Sequence, residues 1–171
     1  MGGWCDVTFV TVGNPKQGFG RLLDAVEDLA GKGVSVPVPV FVQAGHNVDF
    51  RPVYCEWTSF LLAEEFQRRM AQSDLIITHG GAGTLLHALR LGKVPVVMPR
   101  RKKYGEHVND HQVQLVEAFA SDGWIVPAYE PEDLPVAIAK ARECGRRNGP
   151  RSPSRMATLV GQAIDELIGP K

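Results

Sequence analysis

The sequence predicts a Rossmann-like α/β domain, a doubly wound parallel sheet held between two helical layers. Two observations predict it. Short apolar runs alternate strictly with longer stretches in which apolar residues recur at helical spacing. Two successive runs, ending near Thr78 and Pro99, lead through polar loops straight into helices, as strands do when their carboxyl ends share one sheet edge.

The elements follow in order. Val7 to Val12 is a β-rich run closed by Gly13-Asn14-Pro15, and Phe19, Leu22, Leu23, Val26 and Leu29 mark a helix that stops at Gly31-Lys32-Gly33. Val38 to Gln43 predicts a second strand, a short strand is expected near Val53 to Cys55, and Phe60 to Met70 reads as a helix. Asp74 to Thr78 has the make-up of a fully buried strand, and Leu85, Leu86 and Leu89 give the next helix one apolar face before its Leu91-Gly92 stop. Val94 to Pro99 is a further buried strand. The helix after it is expected from Val108, carrying Val113, Leu115, Val116 and Phe119. Trp124 to Val126 predicts the last strand, and Pro131, suited to a first helical turn, opens a helix to about Cys144. Residues 1–145 thus form the domain and 146–155 a linker, within an arginine-, glycine- and proline-rich stretch from Gly145 to Arg155. Residues 156–171 hold an amphipathic helix with a stripe from Met156 to Leu167. That stripe either covers the chain's own sheet or docks a partner subunit.

With 19 basic and 19 acidic residues the formal charge is zero, so nothing global argues for nucleic acid. Cys5, Cys55 and Cys144 form no C-x-x-C or regular framework and read as reduced thiols. The start of the sequence lacks a signal-peptide pattern and no run approaches a membrane span, so the expected location is cytoplasmic.

The segment His79-Gly80-Gly81-Ala82-Gly83-Thr84 stands at a strand-to-helix turn. Glycines there let backbone approach a ligand, and the helix N-terminus offers unpaired N–H groups suited to a diphosphate. The competing reading is a tight turn serving helix–sheet packing alone. Gly13 and Asn14 are placed at the same edge, where Asn14 either lines the phosphate site or belongs to a plain Asn-Pro turn. Between Pro99 and Gln112, Arg100 begins a basic run and Glu106, His107, Asp110, His111 and Gln112 supply carboxylate, imidazole and amide groups. Asn109 and Asp110 are also good helix caps, so capping plus a solvated face competes with ligand binding. His107 and His111 at i, i+4 lack an H-E-x-x-H pattern or a third ligand, so no metal site is expected.

From His79 through Gln112, and at Phe9 to Gly13 and Phe41 to His46, the sequence resembles the carboxyl-terminal, nucleotide-sugar-binding domain of glycosyltransferase family 28. The resemblance covers roughly residues 7 to 140 and is most specific from Pro99 to Gln112. Within the family it is similar to stand-alone PssE/EpsF-type subunits of polysaccharide and exopolysaccharide synthesis. More distantly, it resembles the catalytic subunit of the eukaryotic enzyme that adds the second N-acetylglucosamine to dolichol diphosphate.

The resemblance implies the carboxyl-terminal half of a GT-B fold and a UDP-sugar donor with no metal or other cofactor. It also implies transfer to a polyprenyl-diphosphate-linked acceptor. The glycine turn would hold the diphosphate, one of the basic side chains after Pro99 would screen it, and Glu106 to Gln112 would face the donor sugar. At His87 relatives carry a glutamate that binds both ribose hydroxyls; histidine takes one such bond or is merely a helix-surface residue. No catalytic base is expected on this chain. A membrane-anchored, acceptor-binding partner of the PssD/EpsE type would supply it and hold the chain at the membrane.

Two other classes compete. A non-catalytic nucleotide-binding or assembly subunit would keep the same fold. A dinucleotide-dependent oxidoreductase is disfavoured, because no G-x-G-x-x-G follows the first strand.

Overall fold

The computed structural model describes residues 7–33 and 35–147. Cys5, most of the predicted linker and the amphipathic helix 156–171 lie outside the described residues. Six strands, β1 (Thr8–Thr11), β2 (Val40–Gln43), β3 (Glu56–Thr58), β4 (Leu75–His79), β5 (Val96–Met98) and β6 (Val126–Pro127), form one parallel sheet in the order β3-β2-β1-β4-β5-β6. Five helices connect or follow them: α1 (Gly20–Lys32), α2 (Ala63–Gln72), α3 (Ala82–Arg90), α4 (His111–Ser121) and α5 (Leu134–Arg147).

Alternation along each strand divides the core between two faces. Val10, Ile77, Val96 and Met98 pack with Leu22, Leu23 and Val26 of α1 and Leu134 and Ile138 of α5. On the other face Phe9 and Ile76 meet Met70 of α2 and Ala88 of α3, and Val97 meets Leu85, Leu89, Leu115 and Phe119. Strands buried on both sides explain why the sequence shows continuous apolar runs instead of alternating ones.

The chain winds outward from β1 to β2 and β3, then returns to place β4 on β1's other side. In register, Thr11 stands beside both Gln43 and Thr78, so three strands end level at the carboxyl edge where winding reverses. Such a switch point leaves a crevice for ligands.

Several boundaries differ from expectation for local reasons. The third strand is Glu56–Thr58, not Val53 to Cys55, because Val53 and Tyr54 donate their N–H groups to Glu27 Oε1 of α1. Helix α2 starts at Ala63, after Phe60 turns edge-on to His46 with ring centroids 5.0 Å apart. Helix α4 starts at His111, not Val108, because the 107–110 segment is held by its own polar bonds. Asn109 Oδ1 accepts from His111 N at 3.2 Å, and Asp110 Oδ1 accepts from Lys102 N at 2.9 Å. Pro131–Asp133 forms a separate 3-10 turn, and α5 extends through Arg147, past the expected linker start.

Candidate functional site

A cavity of about 460 Å³ opens at the carboxyl ends of β1 and β4, on the switch point. Thr11, Gln43 and His79 form its buried base. Gly81, Ala82, Gly83, Thr84 and His87 contribute from the turn and first two turns of α3. Leu61, Ala63, Phe66 and Gln67 contribute from the β3–α2 loop and α2, and Gly13 and Asn14 from the end of β1.

Gly81 is the N-cap of α3, with extended backbone (φ −82°, ψ 122°) and no side chain capping the helix. The first intrahelical bond runs from Leu85 N to the Gly81 carbonyl. The amides of the preceding turn are therefore the donors that a helix start leaves open. The residues that carry them, Gly81 to Thr84, line the cavity, and the helix dipole adds partial positive charge there.

His79 explains two of the glycines. Its imidazole is wedged so closely that a β-carbon on Gly81 would stand 2.2 Å from Nε2, and one on Gly13 would stand 2.6 Å from Cε1 and Nε2. Gly13 also has φ +71°, a left-handed conformation that favours glycine. On the other side of the ring, Nδ1 lies 3.2 Å from Thr78 Oγ1, which donates to the Thr11 carbonyl at 3.0 Å. Burial, reinforced by the nearby Arg100 guanidinium, pulls the His79 pKa down to about 4, so the ring is neutral at pH 7. Gly80 is a packing glycine: its β-carbon would meet Gln112 Cβ and Val116 Cγ2 of α4 at 3.0 Å. Gly83 differs from all three, since a β-carbon there would meet nothing within 4 Å.

His87 is not a bare surface residue. It lines the cavity with its ring edge-on to Phe66, centroids 6.1 Å apart. Of the amides in the walls, Gln43 is committed. Its Oε1 accepts from Thr11 Oγ1 at 2.5 Å and its Nε2 donates to the Gly13 and Ser59 carbonyls at 3.3 and 3.0 Å.

The loop after β5 stands apart from this cavity. Arg100, Glu106, His107, Asp110, His111 and Gln112 do not line the cavity. The Arg100 guanidinium is fully buried and donates to backbone carbonyls, to Val12 and Gln17 at 2.8 Å and to Gly18 and Glu106 at 3.2 Å. Burial lowers its pKa to about 10, opposed by the Glu106 charge, so it stays cationic; its Nη atoms hold the backbone of residues 12–18 and 106, while its buried Nε finds no hydrogen-bond partner among the described residues. Glu106 accepts two bonds of 2.9 Å from Nε and Nη2 of Arg21, on α1, and a third of 3.0 Å from Arg101 N. Gln112 Oε1 accepts from Arg100 N at 3.0 Å. His107 and His111 both pair with Asn109, and Asp110 with Lys102, as described for the α4 boundary. The polar residues of this loop therefore build the loop. Among the described residues, no three His, Cys, Asp or Glu side chains are grouped as a metal site would require.

The wall from α2 was missed in the sequence. Phe66 falls within the helix expected from Phe60 to Met70 with nothing to set it apart, and Leu61 and Gln67 carry no motif. Only the strand order, which brings α2 and α3 onto the same sheet face beside β1, places them at the cleft.

A parallel sheet of this order with its crevice over a glycine turn matches a known family along most of the chain. Residues 7–165 fit the glycosyltransferase family 28 C-terminal domain. The chain belongs to this family. Its relatives include the UDP-N-acetylglucosamine transferase subunit ALG13 of Cryptococcus neoformans var. neoformans serotype D, 27% identical over 107 residues. That match covers 61% of this chain and 51% of the relative, so the chain spans about half the relative's length. The same fold also recurs in solved structures. An ALG13 solution structure superposes with a TM-score of 0.56 at 20% identity, covering 93% of this chain and 97% of that one. The glycosyltransferase of kitacinnamycin superposes at 0.62 and 18% identity, covering 98% of this chain and 40% of that one. These likenesses establish a GT-B-type Rossmann-like fold. Among the described residues, no helix is long and apolar enough to cross a membrane.

Proposed function

We propose that this chain is the donor-binding subunit of a two-component glycosyltransferase and that it holds a UDP-sugar in the cavity at the switch point. One observation carries the reading: the uncapped start of α3, with Gly83 free of any packing demand, borders a cavity of about 460 Å³ in a family 28 domain. The diphosphate sits on the amides from Gly81 to Thr84, with Gly13 and Asn14 beside it. The nucleoside extends toward His87, Phe66 and Gln67. Departure of a nucleoside diphosphate leaves negative charge that helix N-terminal donors stabilise without a metal.

None of the cavity-lining residues is Asp or Glu. That favours a general base on a partner, in keeping with the subunit role named for ALG13. The acceptor is a polyprenyl-diphosphate-linked sugar, the setting is bacterial-type polysaccharide synthesis of the PssE/EpsF kind, and the partner is membrane-anchored. The chain thereby works in the cytoplasm, at the membrane only through that partner.

Calorimetric titration with UDP, UDP-N-acetylglucosamine and NAD tests the donor site. UDP-sugar binding with NAD excluded is the expected result; preference for NAD, or no UDP binding, rejects it. Transfer by the chain co-expressed with a candidate partner, and not by the chain alone, is expected of the two-component arrangement.

A further inference from the structure

The cavity proposed to bind a doubly charged diphosphate contains no permanently charged side chain. Its lining carries no Lys, Arg, Asp or Glu, and its titratable groups are His79 and His87. The buried cation Arg100 does not line it, and its Nη atoms are committed to four backbone carbonyls. An anion taken from water into such a site loses hydration, and helix-dipole charge offsets only part of two full negative charges.

We propose that the site meets its ligand's charge by taking up a proton on His79, so that diphosphate binding and protonation of this buried imidazole are one coupled event. The inference rests on the donor-site reading above and adds how the site is neutralised.

His79 is placed for this role and His87 is not. His79 directly precedes the glycine turn, is 6% exposed, and presents Nε2 between Gly13 and Gly81, the two residues flanking the proposed diphosphate. Among the described residues its hydrogen-bonded side-chain contact is at Nδ1, toward Thr78, leaving Nε2 for the cavity. His87 lies a further turn along α3, against Phe66.

The groups around His79 set the sign. From β1 the Thr11 backbone carbonyl favours the proton, while from the β5–α4 loop Arg100 and His107 oppose it. The start of α3 opposes it as well. Without an anion, burial and these positive groups keep the ring neutral down to about pH 4. A diphosphate adjacent to Nε2 supplies the opposite charge that raises a buried histidine's affinity for a proton. A solvent hydronium gives its proton to the Nε2 lone pair, so an N–H bond forms as an O–H bond breaks and water leaves; the resulting imidazolium donates to a phosphate oxygen, and no bond between heavy atoms changes.

The probe is UDP-N-acetylglucosamine, whose diphosphate diester has no ionisation of its own near neutral pH. Calorimetry between pH 6 and 8 in buffers of different ionisation enthalpy should show net proton uptake. Affinity should fall as pH rises, by at most about tenfold per unit. In His79→Asn, which is smaller and keeps a polar group, both the uptake and the pH dependence should vanish, while in His87→Asn they should persist. In wild type, the His79 Cε1–H resonance should move from its neutral to its imidazolium position on saturation at pH 7.

Binding without proton uptake, or uptake that survives His79→Asn, overturns this inference and leaves the donor site standing. A His79 resonance unmoved by saturation does the same, whatever the variants do. Failure of UDP-N-acetylglucosamine to bind at any pH removes the donor-site reading itself, and this inference with it.

Discussion

Gly83 gives the sharpest test of the donor site, because the structure offers no internal reason for a glycine there. It is the second residue of α3, its φ is not left-handed, and a β-carbon would meet nothing within 4 Å. Helix propensity therefore favours Gly83→Ala by up to about 1 kcal/mol. For a chain of 171 residues that is a rise in Tm of about 2–4 °C. Gly83 also lines the cavity, so on the proposed reading the same methyl group stands beside the first-turn amides that bind the diphosphate. A phosphate oxygen bound there sits about 2.9 Å from an amide nitrogen, and a methyl group beside the path pushes it off. Loss of one hydrogen bond to a charged group costs about 1.5–3 kcal/mol, which weakens Kd roughly 10- to 100-fold. One substitution should thus raise stability and lower UDP-sugar affinity. Thermal denaturation and calorimetry on the same preparation read both. A raised Tm with unchanged affinity would show that no ligand approaches Gly83; a lowered Tm would show that the space around it is misjudged. The same experiment at Gly81 is uninformative, since a β-carbon there displaces His79 before any ligand is involved.

Three further outcomes are expected. Glu106→Gln removes the carboxylate from a buried pair with Arg21 and should cost about 3 kcal/mol in urea denaturation. UDP-sugar affinity should stay within about twofold, and a large loss of affinity at unchanged stability would return Glu106 to the donor site. His87→Ala should weaken UDP-sugar binding by roughly 1 kcal/mol, the scale of one hydrogen bond, and His87→Glu should tighten it by about as much; unchanged Kd values in both place His87 outside the site. His79 should also make the fold acid-sensitive. Its folded pKa of about 4 lies below the ordinary 6.5, so its stabilisation is complete above pH 6.5 and is lost as pH falls toward 4. The loss amounts to about 3 kcal/mol, and urea midpoints at pH 7 and 4.5 that fall less in His79→Asn would confirm it.

The parallel sheet was legible in the sequence because strands buried on both faces leave continuous apolar runs, and each helix has a contrasting period. The boundaries that moved were those set by contacts remote in sequence. Glu27 on α1 draws Val53 and Tyr54 out of the third strand, and nothing within residues 50–58 announces it. The glycine turn and Gly13 were legible too, because backbone demands of that kind are met by few residue types. The walls from α2 were not, since an aromatic at core spacing looks the same whether it faces sheet or cleft.

The loop after β5 shows the limit most clearly. Carboxylates, amides and guanidinium groups suit a sugar diphosphate, yet the same groups suit the inside of a loop that must satisfy its own backbone. Which use applies depends on partners within reach. Glu106 finds Arg21, and Arg100 finds the carbonyls of Val12, Gln17 and Gly18, all more than eighty residues away in sequence. Once paired, these groups shape the surroundings of the cavity without lining it. Arg100 fixes the turn after β1 whose Gly13 lies against His79, and Gln112 places α4 beside Gly80. The glycines of one short motif then separate by cause. Gly80 is small for the sake of α4 and Gly81 for the sake of His79. Gly83 alone has no neighbour among the described residues to accommodate, which is why its substitution tests the proposed donor site most directly.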